Sequence, residues 1–216
     1  LNVSSFRKFI HYYKLVFILF TASSTIAFAQ NKSGFSITDE NIKHVKFDAK
    51  QVAKITVNNG KWSEFQFQSS SESTYQNDLY FDYKIENETL IISDIYPKHL
   101  EYGDNKMTST QVFSVEVTLT IPENISLYIN SKYASTLVKG MYKNITINTK
   151  TGNCKLDLTK TNANISTYSG NISVVTKDVN VQAESQNGSV DLDDFLIKKY
   201  WLSLKSIDGN ISVKKA

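Results

Sequence analysis

Five short phrases, SKYASTLV, TKTGNCKL, TYSGNISV, SQNGSVDL and SIDGNISV, recur through the C-terminal part of the chain. Aligned on their fourth residue they place Ala134, Gly152, Gly170, Gly188 and Gly209 in one column, at intervals of 18, 18, 18 and 21 residues. The agreement extends well beyond the turn. Seven and five residues before the column stand Leu127 and Ile129, Ile145 and Ile147, Ala163 and Ile165, Val181 and Ala183, Leu202 and Leu204, all apolar. Two and four residues after it stand Thr136 and Val138, Cys154 and Leu156, Ile172 and Val174, Val190 and Leu192, Ile211 and Val213, of which only Thr136 is polar.

Alternation with a period of two on both sides of a glycine describes strand, turn, strand, with one face of each strand inward. Identical columns in successive repeats are required if equivalent side chains stack, because like then packs on like about 4.8 Å away. The spacing therefore predicts an all-β chain ending in a β-solenoid with coils of about 18 residues. It sets Ile172 between the Cys154 and Val190 rungs. A hydroxyl column (Ser131, Thr149, Thr167, Ser185, Ser206) and a column of Ser135, Asn153, Asn171, Ser189 and Asn210 flank the glycines. Gly and Asn both tolerate the left-handed backbone of a tight corner, and stacked Asn or Ser side chains can bond from coil to coil. The long last interval contains DDFLIKKYW, Asp193 to Trp201. Its Phe195, Leu196, Ile197, Tyr200 and Trp201 are the candidate partner surface, since clustered exposed apolar residues mark interaction sites.

Three regions follow from the composition shifts: an export signal over 1–29, an N-terminal β region over 30–122 and the repeats over 123–216. The first is basic at Arg7, Lys8 and Lys14, apolar from Leu15 to Phe28, and closes on the small-residue site AFA, with cleavage expected after Ala29. The middle region alternates without a strict repeat. Ile55, Val57, Trp62, Phe65 and Phe67 surround an Asn-Gly turn signal, and VFSVEVTLTIP alternates from Phe113 to Ile121. Tyr96 to Thr110 reads as a polar loop. This region is expected to cap the open end of the first coil.

Charge and motifs exclude several functions. The 24 basic residues include Arg7, Lys8 and Lys14; without these, basic and acidic residues balance at 21 each, and no arginine remains. Nucleic-acid binding needs a basic face, usually with arginine, so it is excluded. Cys154 stands alone and reads as a small buried hydrophobe. After the signal only His44 and His99 remain, neither with a metal-ligand spacing, and no hydrolase, zinc or phosphate-loop motif occurs. The acids Asp191, Asp193 and Asp194 could serve carbohydrate chemistry or calcium, but Val175 interrupts the row between Asp157 and Asp193. The sequence predicts no enzyme, no catalytic residue, no cofactor and no metal site, and beyond the signal no membrane-spanning segment.

The ITVNNGKW stretch, VEVTLTIPENISLYINS with Pro122 leading into the repeats, and the serial TGN, SGN, NGS and DGN corners resemble a bacterial putative-adhesin family of envelope proteins. The resemblance implies a single-stranded right-handed β-helix and an exported location, in the periplasm, on the outer surface or secreted. It implies no catalytic residues. The expected function is a non-enzymatic scaffold that offers its flank to a glycan or an envelope protein. The alternatives are an envelope-sensing or stress-response component of the periplasm and, behind it, a carbohydrate-active enzyme.

Overall fold

The computed structural model describes residues 31–60, 63–71, 80–95 and 115–216. The export segment over 1–29, Trp62, Phe113, His99 and the Tyr96 to Thr110 loop lie outside the described residues. The strands of the first half are β1 (Asn31–Thr38), β2 (His44–Ala49), β3 (Lys54–Asn59), β4 (Glu64–Ser71), β5 (Tyr80–Glu86), β6 (Thr89–Ile95) and β7 (Val115–Ile121). Those of the second half are β8 (Ser126–Ser131), β9 (Ser135–Gly140), β10 (Asn144–Thr151), β11 (Cys154–Leu158) and β12 (Asn162–Ser169), then β13 (Ile172–Thr176), β14 (Val179–Ser185), β15 (Val190–Leu192), β16 (Tyr200–Ser206) and β17 (Ile211–Lys215). The described residues contain no helix.

The strands form two mixed sheets. The nine-stranded sheet runs β1-β4-β7-β3-β9-β11-β13-β17-β15, and the eight-stranded sheet runs β14-β16-β12-β10-β8-β2-β6-β5. Their inner faces share one apolar core, from Phe47, Ile55 and Ile92 through Ile129, Ile147 and Ile165 to Leu204 and Val213, each of them fully buried. The period-two alternation supplies this core directly: in β11, Cys154, Leu156 and Leu158 are buried while Lys155 and Asp157 face solvent.

The layout is that of a β-sandwich, and it corrects the expected right-handed β-solenoid of sequential coils behind a separate cap. Two findings carry the correction. First, strands from before and after Pro122 share both sheets: β2 pairs with β8 and β3 with β9, both parallel, while β1, β4 and β5 add antiparallel pairs. Second, the order of pairing does not follow the sequence. β16 lies between β12 and β14, and β17 between β13 and β15. Ile172 consequently pairs with Cys154 on one side and Ile211 on the other, and Val190 is displaced to the far side of Ile211. The physical reason is that the columns are alike. A period of about 18 residues dictates which side chains share a register, as in Ile129, Ile147 and Ile165. It does not dictate which strand pair lies next to which.

The glycine column also has a different cause from the one expected. Of its four glycines only Gly152 has a left-handed backbone, at φ 119°. All four are instead needed for close approach. A Cβ on Gly152 would sit 2.3 Å from the carbonyl oxygen of Ala134, on Gly170 2.1 Å from that of Gly152, on Gly209 2.0 Å from that of Gly170, and on Gly188 2.2 Å from that of Gly209. The Asn column forms a ladder beside it. Asn153 Oδ1 accepts from the backbone N–H of Asn171 (2.9 Å), Asn171 Oδ1 from Asn210 (2.8 Å) and Asn210 Oδ1 from Ser189 (2.9 Å). Both columns run in the observed order, with the last repeat inside the stack.

Candidate binding face

Each strand of the eight-stranded sheet turns every second side chain outward, and the parallel register lines these up from strand to strand. One outward row is Asp48, Asn130, Asn148, Ser166, Lys205 and Glu184, on β2, β8, β10, β12, β16 and β14. Neighbouring rows bring Tyr128, Asn144, Asn162 and Asn164 to the same face. Side-chain amides bridge the strands: Asn148 Nδ2 donates to the Tyr128 hydroxyl (3.3 Å), Asn162 Nδ2 to Asn144 Oδ1 (3.4 Å) and Asn130 Nδ2 to Asp48 Oδ1 (3.4 Å).

Two grooves follow the corner edge of this face. The larger, about 690 Å³, is lined by Asn148, Lys150, Ser166, Tyr168, Glu184 and Lys205 among others. The second, about 620 Å³, adds Asp48, Lys50, Ser93, Asp94 and Lys132, and the two share Asn130, Ser131 and Lys150. Asp94 builds the wall of the second groove. Its carboxylate accepts from the backbone N–H groups of Lys50 (2.7 Å) and Gln51 (2.6 Å), tying the end of β2 to β6. Burial raises the Asp94 carboxyl above its ordinary value, with those hydrogen bonds and the Lys50 charge opposing. Tyr168 presents an exposed ring among amides, hydroxyls and ammonium groups. Such a lining offers hydrogen bonds in both directions and one stacking surface, with the buried hydroxyl residues Ser131, Thr149, Thr167 and Ser206 along its base.

The residues singled out from the sequence are distributed over this face and the adjoining end of the sandwich. Phe195 is not a surface residue: it is 8% exposed and anchors the connection between β15 and β16 in the core. Leu196 (99% exposed) and Ile197 (61%) project from that connection. Tyr200 is half-buried, with the Lys199 ammonium 5.6 Å from its ring centre. Trp201 is 46% exposed and belongs to the outward face of β16, in register with Asn180, and its backbone N–H donates to Asn162 Oδ1 (3.1 Å). The five side chains therefore do not form one patch.

Two of the three acidic residues singled out, Asp191 and Asp193, are engaged in ion pairs. Lys214 bridges Asp191 (2.8 Å) and Asp193 (3.3 Å), and Asp193 also accepts from the Lys215 backbone N–H (2.9 Å), which with Lys214 holds its carboxyl below the ordinary value. Among the described residues no three His, Cys, Asp or Glu side chains converge as a metal site. Nor among them is any helix long and apolar enough to cross a membrane. Cys154 is buried, and its surroundings push the thiol up to about 12. His44 lies exposed at the start of β2, away from both grooves.

The groove row was in the sequence but was not read there. Asn130, Asn148, Ser166, Glu184 and Lys205 each stand four residues before the glycine column, so the period that exposed the apolar columns carries this polar one as well.

No protein-family model and no curated protein matches the chain. Among solved structures, a putative cell adhesion protein from Clostridium sporogenes is similar at 14% identity, with a TM-score of 0.64 over 87% of this chain and all of that one. A putative adhesin from Bacteroides fragilis aligns at 12% identity over 85% of this chain and 97% of its own, with a TM-score of 0.41. The chain shares the fold of the Clostridium protein.

Proposed function

We propose that the protein is a non-enzymatic, adhesin-like component of the bacterial surface or envelope, a relative of the putative adhesins, and that it binds a glycan along the outer face of the eight-stranded sheet. The observation that carries this reading is the pair of adjoining grooves from Asp48 to Glu184, where amides, hydroxyls and lysines lie in register beside Tyr168. Repeating polar groups about 4.8 Å apart suit an extended repeating ligand better than a compact one. The shared fold with a cell adhesion protein and the export-like N-terminal segment support the location. The ion pairs that occupy Asp191 and Asp193 favour binding over acid–base turnover.

The test is a glycan array on the purified protein, followed by affinity measurements on Tyr168→Ala and Asn148→Ala. Both side chains reach the larger groove from the outside of the sheet, so each variant is expected to keep its melting temperature and lose about tenfold in affinity. Hydrolysis or elimination of any glycan bound would overturn the non-enzymatic reading. Unchanged affinity in both variants would remove the groove.

A further inference from the structure

The corner that ends β2, β8 and β10 carries a lysine on each of three neighbouring strands. Lys50, Lys132 and Lys150 are the residues that follow Ala49, Ser131 and Thr149, which are register partners across those strands. Backbone hydrogen bonds continue the stack at this level: the Lys132 N–H donates to the Ala49 carbonyl (3.2 Å) and the Thr151 N–H to the Lys132 carbonyl (3.0 Å). All three lysines are exposed and line the second groove, and Lys150 lines the larger one too. Elsewhere the ladders oppose unlike charges. Lys54 faces Glu116, Lys139 faces Asp157 and Lys205 faces Glu184, and among the described residues no two like charges face each other in a ladder. Like charges side by side on adjacent strands repel, so three lysines on successive rungs cost stability that unlike pairing would not.

The acids of the grooves do not neutralise this row. Asp48 is held by the Lys46 ammonium (3.0 Å) and by Asn130 (3.4 Å), and Asp94 is turned to the backbone N–H groups of Lys50 and Gln51. Glu184 stands beside Lys205, on β14 and β16. Among the described residues none of the three lysines is in an ion pair, and Lys132 lies 4.9 Å from the ring centre of Tyr133. We propose, resting on the reading of this face as a glycan site, that the glycan is acidic, with carboxylate or sulfate groups on successive sugars that meet Lys50, Lys132 and Lys150 in turn. Two residues after the row Asp48, Asn130, Asn148 and Ser166 come Lys50, Lys132, Lys150 and Tyr168. Amides and hydroxyls of the first row bond the sugar hydroxyls, the ammonium groups of the second take the anions, and Tyr168 ends that row with a ring. A neutral glycan leaves the repulsion between the lysines in place; an acidic one removes it. Nucleic acid fits less well, because the described residues hold no arginine for bidentate phosphate contacts and Tyr168 is the single ring in the two groove linings.

Calorimetric titration with polygalacturonate, dextran sulfate and uncharged dextran tests this. At least one charged polymer is expected to bind about tenfold tighter than dextran, and to lose affinity as salt rises from about 0.05 to about 0.3 M. The triple variant Lys50→Gln, Lys132→Gln, Lys150→Gln is expected to weaken that binding about thirtyfold, about threefold for each exposed ion pair lost, and to leave dextran unaffected. It should melt no lower than wild type at low salt, since it removes repulsion and no packed contact. The double variant Lys139→Gln, Lys155→Gln alters exposed lysines of the nine-stranded sheet, is expected to change nothing, and controls for attraction by net charge. Dextran bound as tightly as both charged polymers, or a triple variant that binds like wild type, would overturn the acidic ligand. The glycan reading itself would survive that result if Tyr168→Ala weakened dextran binding. Equal loss in the double variant would reduce the effect to net charge and overturn the proposal too. A single-stranded oligonucleotide bound through the three lysines, with no polysaccharide bound, would overturn both readings.

Discussion

Adding one methyl group at Gly170 places it 2.1 Å from the carbonyl oxygen of Gly152 and 2.7 Å from its carbon, both backbone atoms that no rotamer change can remove. Ordinary contact needs about 3.5 Å, so the corner must open by about 1.4 Å. Three hydrogen bonds cross that gap: Gly152 N to Ser169 O (3.1 Å), Cys154 N to Asn171 O (2.8 Å) and Asn171 N to Asn153 Oδ1 (2.9 Å). Stretching them forfeits about 1 kcal/mol each, and residual crowding adds about 1 kcal/mol more, since β16 and β17 on the far side hold β12 and β13 in place. Gly170→Ala should therefore cost about 4 kcal/mol, a fall of about 8–16 °C in Tm for a domain of this size. Gly188→Ala meets a similar carbonyl, 2.2 Å away, but lies in the last strand pair of the described sheets. That pair can tilt outward, so about 1 kcal/mol is expected. Thermal melts followed by circular dichroism compare the two. Melting temperatures within about 2 °C of each other would refute the argument that stacking, and not corner conformation, selects glycine here.

Ile172→Asp buries an unpaired carboxylate between Cys154 and Ile211, where Ile172 is 1% exposed, and is expected to lose several kcal/mol in denaturant titration. Asn171→Ser should be mild by comparison, because serine already fills that column at Ser135 and Ser189. The Cys154 thiol, pushed up to about 12 by burial, is expected to resist alkylation in the native protein at pH 8 and to react fully once unfolded. Rapid labelling of the native protein would show that the β11 interior is open.

Much of the architecture was legible because alternation is a local signal. Cys154, Leu156, Ile172 and Val174 declare their inward faces from spacing alone, and their register follows from the repeat. The order of the strand pairs was not legible. Leu202 and Val181 stand at the same offset from their glycines, so either could pair with Ala163, and packing against the whole stack decides between them. The same limit applies to the partner surface. Phe195 and Leu196 are adjacent apolar residues in sequence, yet one fills the core at 8% exposure and the other is 99% exposed, a distinction only tertiary packing makes. The candidate binding face escaped for the opposite reason: Asn, Ser and Lys at outward positions look like ordinary solvated residues until six strands bring them into one row.

The place of β16 and β17 inside the stack bears on how the protein matures. These strands follow β14 and β15 in the chain, yet β12 and β13 lie on one side of them and β14 and β15 on the other. The end pair therefore cannot settle into its final position before β16 and β17 are available. Until then β14 and β15 must either wait unpaired or rest provisionally against β12 and β13, in the offset that Ala163 accepts from Leu202, and give way when the closing strands arrive. Folding of this end is thus completed from the inside, when the later strands enter between pairs that precede them in the chain.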